Sequence, residues 1–144
     1  MIGPLDIADV DRACPRFADV HQVAVEADAR VRAANPGLSA RDLGTLIHNE
    51  IRDEIRKWPE IGVGMWSEQG VFLGVDLQDR VVLPRGAVRF DVLEDAGRGT
   101  VCVYDPKTGE TEMTPKQMLR YWREALEFRK GTTRVYVVPL YTRR

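Results

Sequence analysis

The chain reads as an α/β sandwich, a mixed central sheet flanked by helices. Three features predict it. Apolar residues recur at helical spacing up to Trp58, short β-like runs follow from Ile61 to Tyr104, and a further helical stretch then precedes a last apolar run. At 144 residues, with 44% hydrophobic and 30% charged content, the chain should form a single domain with a substantial core. An N-terminal helical segment is expected over about 1–38 and the core over about 39–140.

Residues from about Pro15 to Ala34 place Phe17, Val20, Ala24, Ala27 and Val31 on one helical face, and Asn35-Pro36-Gly37 stops that helix. Ser39, with Asp42 three residues on, caps a second helix. Its stripe is Leu43, Ile47, Ile51, Ile55 and Trp58, and Pro59 ends it. Strands are expected at Gly70–Val75, Arg80–Leu83, Ala87–Glu94 and Thr100–Asp105, the last two joined by a permissive hairpin loop over Asp95–Gly99. Asp91 and Asp105 should therefore lie on adjacent antiparallel strands. Thr114, Pro115 and Gln117 mark the start of a third helix, in which a capping box accounts for Gln117. Met118, Tyr121, Trp122, Ala125 and Phe128 form its apolar face. Arg134–Val138 follows as a buried strand, parallel to its neighbour because a helix crosses between them.

No apolar stretch reaches the ~18 residues of a membrane span, so no membrane association is expected. Met1–Asp6 lacks the basic start and apolar core of a signal peptide, so none is expected in this chain. Cys14 and Cys102 are too few for a disulfide scaffold, and Cys102 reads as a small buried thiol. The net charge of −1 is uneven: from Glu110 onward eight basic residues face four acidic ones, giving +4 against −5 before it. Such a basic C-terminal third suits phosphate contact or a solvated helix face. The tryptophans Trp58, Trp66 and Trp122 read as core or rim.

Chemistry concentrates near the end of the fourth strand. Alternation points Asp105 and Lys107 the same way and Pro106 the other. Asp91 stands amid Val88, Phe90, Val92 and Leu93, where an unpaired carboxylate is costly. Two acids and a lysine on paired strands suit a divalent cation beside a reacting phosphate, and hard Mg²⁺ or Mn²⁺ takes carboxylate oxygen. Lys107 would orient or help deprotonate the attacking water. Arg89, on the same strand face as Asp91, is positioned to pair with an acid or touch phosphate.

This layout resembles the restriction-endonuclease-like nucleases of the PD-(D/E)XK superfamily. Gly44-Thr45-Leu46-Ile47-His48 is similar to the Gly-x-x-x-His of RecB-type members, Asp105-Pro106-Lys107-Thr108-Gly109 to their Asp-Tyr-Lys-Thr-Gly, and Gln117–Tyr121 to their Gln-x-x-x-Tyr, with Asp91 between in the right order. The chain also resembles C-terminal nuclease domains of bacterial polymorphic toxins. The matching residues are Gly86–Val92, Tyr104–Gly109 and Met113-Thr114-Pro115. The resemblance implies Asp91, Asp105 and Lys107 as catalytic residues and His48, Asp91 and Asp105 as ligands of Mg²⁺ or Mn²⁺. Glu54 or Glu50 is the alternative to His48, since many related folds use a helix glutamate there. Arg89, Gln117 and Tyr121 become substrate-binding candidates, although Tyr121 also fits plain core. The implied function is endonucleolytic cleavage of DNA, with RNA, especially tRNA, as the alternative substrate. A catalytically inactive nucleic-acid-binding or scaffold domain is the reading from another class. A toxin would act in the target-cell cytoplasm and be bound by a cognate immunity protein.

Overall fold

The computed structural model describes residues 6–72, 74–78, 82–85, 87–109 and 112–143. Among them, helices α1 (Ile7–Ala13), α2 (Phe17–Ala34) and α3 (Ala40–Ile55) precede strands β1 (Met65–Phe72), β2 (Val75–Gln78), β3 (Val88–Gly97) and β4 (Thr100–Lys107). Helix α4 (Pro115–Phe128) then crosses to strand β5 (Arg134–Tyr141). The sheet order is β2-β1-β3-β4-β5, antiparallel except for the parallel β4–β5 pair that the crossover requires. Pro139 is tolerated in β5 because that strand is an edge.

Two apolar clusters lie on opposite sides of the sheet. One joins Val10, Val20, Ala24, Val31, Ile47 and Ile51 of the first three helices to Val92, Cys102, Tyr104 and Leu140. The other joins Ala125, Tyr121 and Trp122 of α4 to Val88, Phe90, Leu93, Val101 and Val103. This is an α/β arrangement with a mixed five-stranded sheet between helical layers.

The helix starts follow their caps. Ser39 Oγ accepts from Asp42 N at 3.2 Å, and Thr114 Oγ1 accepts from Gln117 N at 3.1 Å. Helix α3 stops at Ile55, so Trp58 falls in the turn beyond it, where the Arg16 guanidinium stacks 3.9 Å from its ring. Helix α1 lies within the N-terminal helical segment expected over about 1–38, ahead of the helix expected from Pro15; Asp6 caps it by accepting from Ala8 N at 2.9 Å.

Four expectations need correction. The run Gly70–Val75 is not one strand: Gly74, at φ 80°, turns the chain, so β1 begins earlier at Met65 and Val75 opens β2. Of the expected strand Arg80–Leu83, Arg80 and Val81 lie outside the described residues, as do Leu73 and Gly86, and Val82 and Leu83 are not in a strand. The β3–β4 ladder runs on to Gly97, because Gly97, Arg98 and Gly99 all take left-handed φ and close a tighter turn than expected. The fourth correction concerns the cysteines. Cys14, at the end of α1, meets Cys102 on β4 in a disulfide with Cα atoms 6.2 Å apart. No local pattern announces the pair, since 88 residues separate its members.

Candidate metal centre

Strand register brings the acids together. In the β3–β4 pair Val92 faces Tyr104, the last pair of the ladder; Asp91 and Asp105 are the next residue on each strand, and their side chains are in hydrogen-bond contact. In β1–β3, Ser67 faces Val92 and Gln69 faces Phe90, which sets Glu68 opposite Asp91. Three carboxylates therefore stand abreast on neighbouring strands. Regular alternation would put Phe90 and Val92 on one face, yet Phe90 belongs to the α4-side cluster and Val92 to the other. The slip coincides with Glu68, whose φ of 55° is uncommon outside glycine. It leaves Asp91 turned toward α3, where His48 Nδ1 lies 3.3 Å from its Oδ1.

At the end of β4, Lys107 Nζ lies 2.9 Å from Asp105 Oδ2. Asp105 is buried, and this oxygen accepts no well-aligned hydrogen bond. The distance makes the pair an ion pair, while the poor alignment leaves Oδ2 with acceptor capacity. Lys107 Nζ also lies 3.5 Å from Gln117 Oε1. Gln117 therefore has a use beyond helix capping: its backbone satisfies the cap while its side chain reaches the lysine. A cleft of about 320 Å³ opens beside His48, Asp105, Lys107 and Arg41, and a smaller one of about 140 Å³ lies between Arg89, Gln117, Arg120 and Tyr121.

The electrostatics are those of crowded acids. Burial pushes the Asp91 carboxyl up; the hydrogen bond and charge of His48 oppose this, and the charge and hydrogen bond of Asp105 add to it. Burial likewise raises Glu68, helped by Asp91 and opposed by Arg89, His48 and Arg52. For His48, burial pulls downward, but the hydrogen bond to Asp91 and the charges of Asp91, Asp105 and Glu68 outweigh it, so the imidazole is raised. Tyr121, tilted against Phe90, is raised by burial and by Asp105 and Asp91, so its hydroxyl remains a proton donor at neutral pH.

His48, Glu68 and Asp91 can each offer a ligand atom, all within 4.8 Å of one another. Opposite ligands on a hard cation at ~2.0–2.6 Å per bond are about that far apart, so the donor set fits one ion. Asp105 adjoins this trio through Asp91. The helix glutamates do not join it: Glu50 lies 3.0 Å from Arg30, and Glu54 lies 3.0 Å from Lys57. Arg89 Nη1 is 3.8 Å from Glu68 Oε2, which takes the acid-pairing option. The sequence expectation begins this strand at Gly70 and so passes over Glu68 as a candidate. The available signal was the same as for Asp91, a lone acid beside the apolar run Gly70-Val71-Phe72. In comparisons with known proteins, no family model matches this chain, and neither a curated protein nor a solved structure matches it.

Proposed function

We propose that this chain is a metal-dependent phosphodiesterase of the restriction-endonuclease-like fold that cleaves DNA endonucleolytically and serves as an antibacterial toxin domain. One observation carries the reading. Asp91 and Asp105 meet side chain to side chain at the end of the β3–β4 pair, with Lys107 against Asp105 and His48 against Asp91. The toxin assignment rests on the resemblance of the Gly86–Val92, Tyr104–Gly109 and Met113–Pro115 segments.

In this reading His48, Asp91 and Asp105 hold Mg²⁺ or Mn²⁺, with Glu68 as a further ligand. A bound cation supplies an acidified water and neutralises charge on the phosphate. Lys107 keeps its ammonium at the mouth of the cleft, where it holds the attacking water and offsets negative charge gathering on phosphorus. Gln117 fixes the direction of that ammonium. Tyr121 offers its hydroxyl to phosphate oxygens, and Arg89, whose Nη1 pairs with Glu68, adds its positive charge beside them.

The purified protein should nick supercoiled plasmid with Mg²⁺ or Mn²⁺ and lose this activity in chelator. Lys107→Ala should lower the rate by about 10²–10³-fold, the usual cost of losing one charge-stabilising donor. Cleavage of total tRNA but not plasmid redirects the reading to a ribonuclease. Cleavage of neither rejects the enzyme.

A further inference from the structure

Resting on that reading, we infer that Asp28, Arg32 and Thr142 form a clamp that positions Lys107 for catalysis. Asp28 is a buried carboxylate on the otherwise apolar face of α2. Its Oδ1 accepts from Arg32 Nε at 2.6 Å and its Oδ2 accepts from Thr142 Oγ1 at 2.5 Å, across 114 residues of chain. The free ends of this bridge reach the lysine strand end. Arg32 Nη2 donates to the Thr108 carbonyl at 2.6 Å, and Thr142 N donates to the Lys107 carbonyl at 3.3 Å. Helix α3 closes the third side, since a Cβ on Gly44 would stand 3.1 Å from Thr108 Oγ1.

Two consecutive carbonyls beginning at Lys107 are thus tied by groups from elsewhere in the chain. The side-chain tip is held separately by Asp105 and Gln117. Burying a carboxylate among polar partners returns little net stability, because desolvation offsets the attraction. Such a network does fix one arrangement of the groups it joins. Here the joined groups are the main chain on both sides of the Lys107–Thr108 peptide. Asp28, Arg32 and Thr142 are positioning residues, acting through Lys107.

Thr142→Ser keeps the hydroxyl, and Thr142→Val removes it at nearly constant shape. Arg32→Lys retains charge but cannot bridge Asp28 and Thr108. Each protein is made with ¹³C at the lysine ε carbons, and the Lys107 resonance is identified by its loss in Lys107→Arg. Thr142→Ser should match the parent. Thr142→Val and Arg32→Lys should move the Lys107 resonance and lower kcat on plasmid by about 10²-fold, the scale of a roughly 1 Å misplacement, with KM unchanged. An unmoved resonance in folded Thr142→Val overturns the clamp, as does a moved resonance with unchanged kcat in an active parent. If the parent cleaves no nucleic acid, the nuclease reading fails on its own. The Lys107 resonance then decides alone: moved supports the clamp, unmoved removes it.

Discussion

Asp91 is pulled two ways. Its burial and the neighbouring Asp105 favour the neutral carboxyl, while His48 favours the charged one. Glu68, held at a left-handed φ beside it, adds a further acid to the same few ångströms. A site of this kind is expected to trade stability for function. Asp91→Asn and Glu68→Gln should therefore raise metal-free stability at pH 8 by about 1 kcal/mol each, the usual gain from relieving an unfavourable site. For a chain of this size that is about 2–4 °C in Tm. Both should weaken Mn²⁺ binding by calorimetry, and Asp91→Asn should also abolish cleavage. A fall in metal-free Tm for both variants would contradict the crowding argument. Asp91, Asp105 and Lys107 stand out in the sequence as candidates because a charge inside or at the end of an apolar run has few cheap structural explanations. Glu68 carries a weaker form of that signal, a lone acid beside an apolar run, and its place next to Asp91 depends on register against β3, a property of two strands rather than one.

At the scale of elements, the segments announced by chemistry at their ends were readable. Ser39 and Thr114 mark helix starts, and the apolar stripe Phe17, Val20, Ala24, Ala27 and Val31 is buried as its spacing implies. The β1–β2 region was misread because Gly74 turns the chain within an otherwise uninterrupted apolar run. Asp28 interrupts the buried face of α2; Arg32 lies one turn on in the same helix, but Thr142 lies in a segment that helical periodicity cannot point to. The Cys14–Cys102 disulfide fastens α1 to β4, close to where Tyr104 donates to Glu94 at 2.6 Å and Arg16 N reaches the same carboxylate. Closing so long a loop removes chain entropy from the unfolded state, by about 4–5 kcal/mol in the loop-entropy model. Replacing both cysteines with alanine should lower the unfolding free energy in urea by roughly that amount. A change below about 1 kcal/mol would show that the apolar cluster and the Glu94 network hold the N-terminal helices to the sheet without the disulfide.

For the whole molecule, the raised groups of the centre set how stability depends on pH and on metal. His48, Asp91 and Glu68 all titrate above their ordinary values of 6.5, 3.8 and 4.5 in the folded chain. A group raised by folding contributes stability that is fully present below its unfolded pKa and lost as pH rises through its folded pKa. Metal-free protein should therefore lose this contribution from the carboxylate range upward through neutrality, as the three groups give up protons. A cation held as proposed would bind the same groups only once they are deprotonated, so its affinity would rise over the same window and binding would release protons. At pH 8, free Mn²⁺ at about 100 times its Kd should add about 2.7 kcal/mol, or about 5–10 °C in Tm. The same concentration at pH 5.5 should add less than about a third of that, since protons then hold the ligands. Scanning calorimetry at the two pH values, with Mn²⁺ and with chelator, measures both increments. Equal increments would place the cation on groups other than His48, Glu68 and Asp91, and no increment at pH 8 would remove the metal centre altogether.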